Sequence, residues 1–103
     1  MPTVRFDREP PGLDASEWFR DPTGQFTAGY WSHAGGAIEV SYTEHEFCVL
    51  LAGRVRLTER GGGGGLEEYG PGDGFVIPAG FEGTWETLEP VRKWYVIFEP
   101  KAG

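Results

Sequence analysis

The stretch "GDGFVIPAGFEGTWE", Gly72 to Glu86, decides the fold. Gly72-Asp73-Gly74 reads as a turn, Phe75 to Ile77 as a buried strand, and Pro78-Ala79-Gly80 as a second turn. Strand character resumes in "GTWETLE", so strand, turn and strand alternate at short intervals, as in a small β-barrel. On either side of it, the runs "QFTAGYWSH", "AIEVSY", "EFCVLLAGRVRLTE", "LEEYG" and "RKWYVIFEP" are rich in β-branched and aromatic residues, with Gly or Pro at nearly every junction. The punctuation predicts strands near 26–32, 37–43, 46–58, 66–69, 74–78, 83–88 and 92–99. No long run keeps a period of 3.6, so long helices are not expected. In "RVRLTE" the apolar Val55 and Leu57 alternate with Arg54, Arg56 and Thr58, marking a half-exposed strand. "FCVLL" is apolar throughout and predicts a strand covered on both faces.

The chain of 103 residues suits one all-β domain with a single core. Residues 1–24 read as an arm, rich in prolines and charges, that packs on the barrel or a partner subunit through Trp18 and Phe19. In it "LDASEWF" has room for one helical turn, but the arm reads as mostly extended. Residues 25–99 form the barrel. A formal charge of −7 disfavours nucleic acid and anionic membranes as partners. No segment has the apolar length of a membrane span, no signal-peptide core opens the chain, and Cys48 is its only cysteine. A cytoplasmic protein is expected. The run Gly61 to Gly65 precedes the acidic "LEEYG" and has no Lys and Ser/Thr pair opening a helix, so it reads as a hairpin loop rather than a phosphate cradle.

"YTEHEFCVLLAGRVRLTE" followed by "GPGDGFVIPAGFEGTWE" resembles the two motifs of the cupin superfamily, G-x5-H-x-H-x3,4-E-x6-G and G-x5-P-x-G-x2-H-x3-N. Glu46 and Gly53 match the first motif; Gly72, Pro78 and Gly80 match the second. The resemblance implies a double-stranded β-helix, the jelly-roll barrel. The words "YW", "EFC", "GTWE" and "PVRKWYVI" resemble the small single-domain cupins similar to ureidoglycine aminohydrolase. The family's ligand histidines would fall on Val40, Tyr42 and Gly83, and its asparagine on Thr87. A transition metal wants at least three converging N, O or S donors, which these positions do not supply. No cofactor is therefore expected. The alternative is a divalent transition metal on an irregular set of His33, Glu46 and Cys48, while His45, next to Glu46 on a strand, should face the other way.

Polar residues in apolar surroundings mark the candidate site. Glu46 opens "FCVLL", Lys93 opens "WYVIF", and each needs a partner if buried. Glu46 with Tyr42 and Lys93 is the candidate catalytic set; Trp31, Trp85, Cys48 and Tyr95 are candidate ligand contacts around an aromatic pocket. The leading expectation is a metal-free barrel that binds a small organic molecule, with a homodimer covering sheet edges and surplus aromatic surface. Its rivals are a metal-dependent enzyme similar to ureidoglycine aminohydrolase and a non-catalytic accessory subunit.

Overall fold

The computed structural model describes residues 15–61 and 65–100, with Ala15 and Ser16 described by their backbone alone. Seven strands and no helix are found among these residues: β1 (Ala15–Arg20), β2 (Phe26–His33), β3 (Gly36–Ser41), β4 (His45–Glu59), β5 (Leu66–Tyr69), β6 (Gly74–Ile77) and β7 (Glu82–Phe98). The all-β expectation holds, with two corrections. First, the C-terminal end of the predicted arm is a regular strand, since β1 pairs antiparallel with β2 across a bulge between Glu17 and Phe19. Its N-terminal part, including the start of "LDASEWF", lies outside the described residues. Second, the two predicted strands at 83–88 and 92–99 are one strand of 17 residues.

β7 is continuous because it and β4 bend together. The sheet runs β1-β2-β7-β4-β5, with β3 also on β7 and β6 also on β4. The β4–β7 register breaks between Leu50 and Val55, opposite Pro90. At that break a proline loses no ladder hydrogen bond. Gly53 has φ of 86°, and a Cβ there would sit 2.1 Å from the Pro90 carbonyl oxygen. Only glycine allows this close crossing. The bend folds the sheet into two halves, β3–β7–β4–β5 and β1–β2–β7–β4–β6, which share a core of Cys48, Leu50, Val55, Leu57, Phe75, Ile77, Trp85 and Val91.

Strand alternation decides which side chains meet inside. On β4 the buried residues are Glu46, Cys48 and Leu50, then Val55 and Leu57 beyond the bend. The expectation that "FCVLL" is covered on both faces is overturned, because Phe47 is 39% exposed and Val49 is half-buried. One face of this strand supplies the core, and the other leaves Phe47 partly exposed. Further round the sheet, Tyr69 stacks on Phe75 with centroids 3.9 Å apart and packs against this core. Antiparallel pairing of β4 with β5 makes the glycine-run connection a hairpin, as expected, although residues 62–64 lie outside the described set.

Candidate functional site

A cavity of about 370 Å3 is lined by Trp31, Ile38, Val40, Tyr42, Glu46, Trp85, Lys93, Tyr95 and Ile97. That volume falls within the roughly 300–1,000 Å3 usual for small-molecule pockets. Each lining residue but Tyr42 comes from the inward parity of its strand. Trp31 faces Lys93 across the β2–β7 ladder, and Glu46 faces Ile97 across β4–β7. Tyr42 just follows β3 and is held by two backbone bonds with the Pro78–Gly80 turn, Tyr42 N–H to Phe81 O at 2.8 Å and Gly80 N–H to Tyr42 O at 2.7 Å. The motif turn therefore positions the phenol.

At the floor Lys93 Nζ donates to Glu46 Oε2 at 2.7 Å, with both side chains nearly inaccessible to solvent. Burying either charge alone costs several kcal/mol, so each is the reason the other is tolerated. The ammonium also lies 4.8 Å from the Trp31 ring centroid and 4.4 Å from that of Trp85, and the two indoles meet edge to face at 5.5 Å. Cation–π attraction from two desolvated faces adds to the carboxylate's hold. Burial first, then the charge of Glu46, pushes the Tyr42 phenol well above its ordinary range. It stays a protonated donor at any physiological pH. Burial likewise raises the Tyr95 phenol.

Cys48 does not line the cavity. It is wholly buried behind the ion pair, with its thiol 3.4 Å from Glu46 Oε2 and 3.5 Å from Lys93 Nζ. Burial pushes that thiol up to about 12, with Lys93 opposing the rise and Glu46 adding to it. Such a thiol is an inert packing group rather than a ligand contact.

His33 stacks on Trp31 with centroids 5.2 Å apart, and its Nδ1 is 2.8 Å from Thr87 Oγ1. Thr87 also accepts the Trp85 indole N–H at 2.8 Å, so one buried hydroxyl fixes both rings. His45 is exposed, as expected, and its Nδ1 accepts the Ala79 N–H.

These placements bear on the metal. No three His, Cys, Asp or Glu side chains among the described residues are grouped so as to hold one, so His33 is not brought to Glu46 and Cys48. The inward positions where the family carries ligands hold Val40, Tyr42 and Gly83, and the carboxylate of Glu46 is already paired with an ammonium. A Cβ on Gly83 would lie 2.0 Å from the Thr58 carbonyl oxygen, so no imidazole fits there on this backbone. The donor set does not fit a cupin metal.

The structure thus brings Glu46, Tyr42, Lys93, Trp31, Trp85 and Tyr95 to one cavity and leaves Cys48 and His33 outside it. Sequence reasoning did not name Ile38 and Ile97 as wall residues. Parity was the available signal, because Ile38 precedes Val40 and Tyr42 by steps of two, and Ile97 follows Lys93 and Tyr95 in the same way.

The bent antiparallel sheet, its motif glycines and its inward-facing site define a cupin. The EutQ-like cupin domain family matches residues 20–95, and the chain belongs to that family. No curated protein matches it. Of solved structures, a DUF861 family protein from Thermotoga maritima is 32% identical, with a TM-score of 0.60 over 64% of this chain and 73% of that one. A putative ethanolamine utilization protein Q from Salmonella typhimurium is 19% identical, with a TM-score of 0.72 over 84% of this chain and 69% of that one. The Clostridium difficile EutQ protein is 17% identical, with a TM-score of 0.70 over 97% of this chain and 77% of that one. The latter two likenesses are likenesses of fold.

Proposed function

We propose that this cupin binds a small, largely apolar organic molecule in its barrel without a tightly bound metal. One observation carries the reading: a cavity of about 370 Å3 walled by Trp31, Trp85, Ile38, Val40 and Ile97, with Glu46, Lys93 and Tyr42 as its convergent polar groups. Apolar walls with a few placed polar groups are what a ligand pocket needs, and a purely structural core would be filled by side chains. The ureidoglycine aminohydrolase-like reading requires a metal for which this cavity lacks the donors. Native mass spectrometry of protein purified without chelators tests the proposal. The expected result is a bound organic mass, or one acquired from a metabolite mixture, that is lost in Trp85→Ala. A chain that acquires no small molecule from such mixtures would contradict it.

A homodimer belongs to the same proposal. Trp18, Phe26, Phe47, Val76 and Phe98 are exposed on the sheet formed by β1, β2, β7, β4 and β6. The pairings Val76–Phe47, Phe47–Val96 and Phe26–Phe98 place four of these residues on the face opposite the cavity. Exposed apolar surface of this extent marks an interface. Its apolar, self-complementary character favours a second copy related by twofold symmetry.

A further inference from the structure

We propose that Lys93 captures carbonyl compounds, condensing through Nζ with a small aldehyde or ketone that enters the cavity. The inference rests on the ligand-binding reading above and names its chemical class. Lys93 is the one amine among the residues lining the cavity, and Cys48 lies behind the wall. The only cation there is already neutralised by Glu46 at 2.7 Å, so an anionic ligand would meet no free positive charge. A neutral carbonyl with an apolar body meets none of that resistance. Its oxygen can accept from the Tyr42 phenol, which burial keeps protonated.

The chemistry closes within the site. One proton passes from Lys93 Nζ to Glu46 Oε2 across their 2.7 Å contact, turning an ammonium–carboxylate pair into an amine–acid pair without leaving an unpaired charge. The free amine attacks the carbonyl carbon, forming the C–N bond as the C=O π pair moves to oxygen, and proton transfers within the adduct give a carbinolamine. Glu46 then protonates the departing hydroxyl, water leaves, and the nitrogen lone pair forms C=N. Overall, R–NH3+ and O=CHR′ give R–NH+=CHR′ and H2O, with no change in charge. The iminium stands where the ammonium stood, facing the same carboxylate and the same two indoles, so the contacts that hold Lys93 also hold the product. The apolar walls limit water, which would reverse the condensation.

The chain has two lysines, Lys93 and Lys101, which makes the test direct. Folded full-length protein is incubated with butanal and sodium cyanoborohydride at neutral pH, and the reduced N-butyl adduct is located by intact mass and peptide mapping over time. Lys93 is 4% exposed, so a merely structural lysine would label more slowly than Lys101 or not at all. The expected result is modification of Lys93 at least about tenfold faster than Lys101, slowed by about tenfold or more in Glu46→Gln, since removing a proton-transferring group has effects of that size or larger. Lys93→Arg keeps the charge opposite Glu46 and should abolish the adduct at position 93 alone. Labelling confined to Lys101 and the N-terminal amine, or an unchanged rate at Lys93 in Glu46→Gln, would overturn the inference. Quenching of tryptophan fluorescence by butanal without reductant separates the two failures. Saturable quenching with no Lys93 adduct overturns carbonyl capture and leaves ligand binding standing, whereas no quenching and no adduct overturn both.

Discussion

Strands β4 and β7 carry two faces of opposite character, and the contrast explains more than either face alone. Inward, Glu46 and Lys93 form a buried ion pair among aromatic rings. Outward, their neighbours Phe47, Val49, Trp94 and Val96 are apolar, and Phe47 is left partly exposed. Of these outward residues Trp94 is buried against its neighbours on that face, whereas Phe47 is not. The charges inside are the basis of the proposed ligand site, and the partly exposed apolar groups outside are the basis of the proposed dimer.

The inner face should respond most strongly to mutation. Lys93→Met leaves the Glu46 carboxylate buried and unpaired, and should cost about 3–5 kcal/mol in urea denaturation. Adding Glu46→Gln should recover part of that loss, because the two residues act as one unit. Additive single and double losses would mean that the pair is a solvated rim and the contrast between faces is false.

Cys48 supplies a pH signature of the same region. Its unfolded thiol titrates near 9 and its folded thiol at about 12, so between those values the folded state holds the extra proton. Stability should therefore be unaffected by this group below pH 9 and fall as pH rises through the window, by on the order of 4 kcal/mol at its upper end. Tyr42, whose phenol is also raised, steepens the fall above pH 10. Denaturation midpoints of wild type and Cys48→Ala at several alkaline pH values check this, with a shallower slope expected in the variant.

Gly83→Ala tests the corner where the family keeps a histidine. An added methyl meets the Thr58 carbonyl, so a substitution that ordinarily helps a strand should here cost about 1–3 kcal/mol by thermal or urea unfolding. A neutral or stabilising result would mean that this corner can accept a side chain.

The smallest stability change, and the clearest sign of the outer face's role, should come from Val76→Lys. Val76 is 60% exposed, so folding of the single chain should shift by no more than about 0.5 kcal/mol. Sedimentation should nevertheless show a dimer in the wild type and a monomer in the variant. A wild type that is monomeric at micromolar concentration would remove the partner from the comparison.

Much of this was legible in the sequence because turns declare themselves. Gly72 and Pro78–Gly80 mark the turns at the two ends of β6, and Gly53 stood out as a motif glycine; Gly53, Gly72 and Gly80 all have the positive φ that favours glycine. Lys93 and Glu46 stood out as charges in apolar runs. β1 was hidden because pairing with β2, rather than local pattern, makes it a strand. The continuity of β7 was hidden because Pro90 reads as a stop until Gly53 is seen opposite it. Cys48 was assigned to the cavity by parity with Glu46. Parity gives the face but not the depth, and two residues further along β4 the interior is closed.

We propose that the buried Glu46–Lys93 ion pair takes up, in this barrel, the carboxylate that a metal would need. Elemental analysis of untagged protein, purified without chelators and dialysed against zinc, manganese, iron and nickel before desalting, tests that most directly. The expected result is well under one equivalent of any transition metal per chain. One stoichiometric metal per chain, lost in Glu46→Gln, would contradict it.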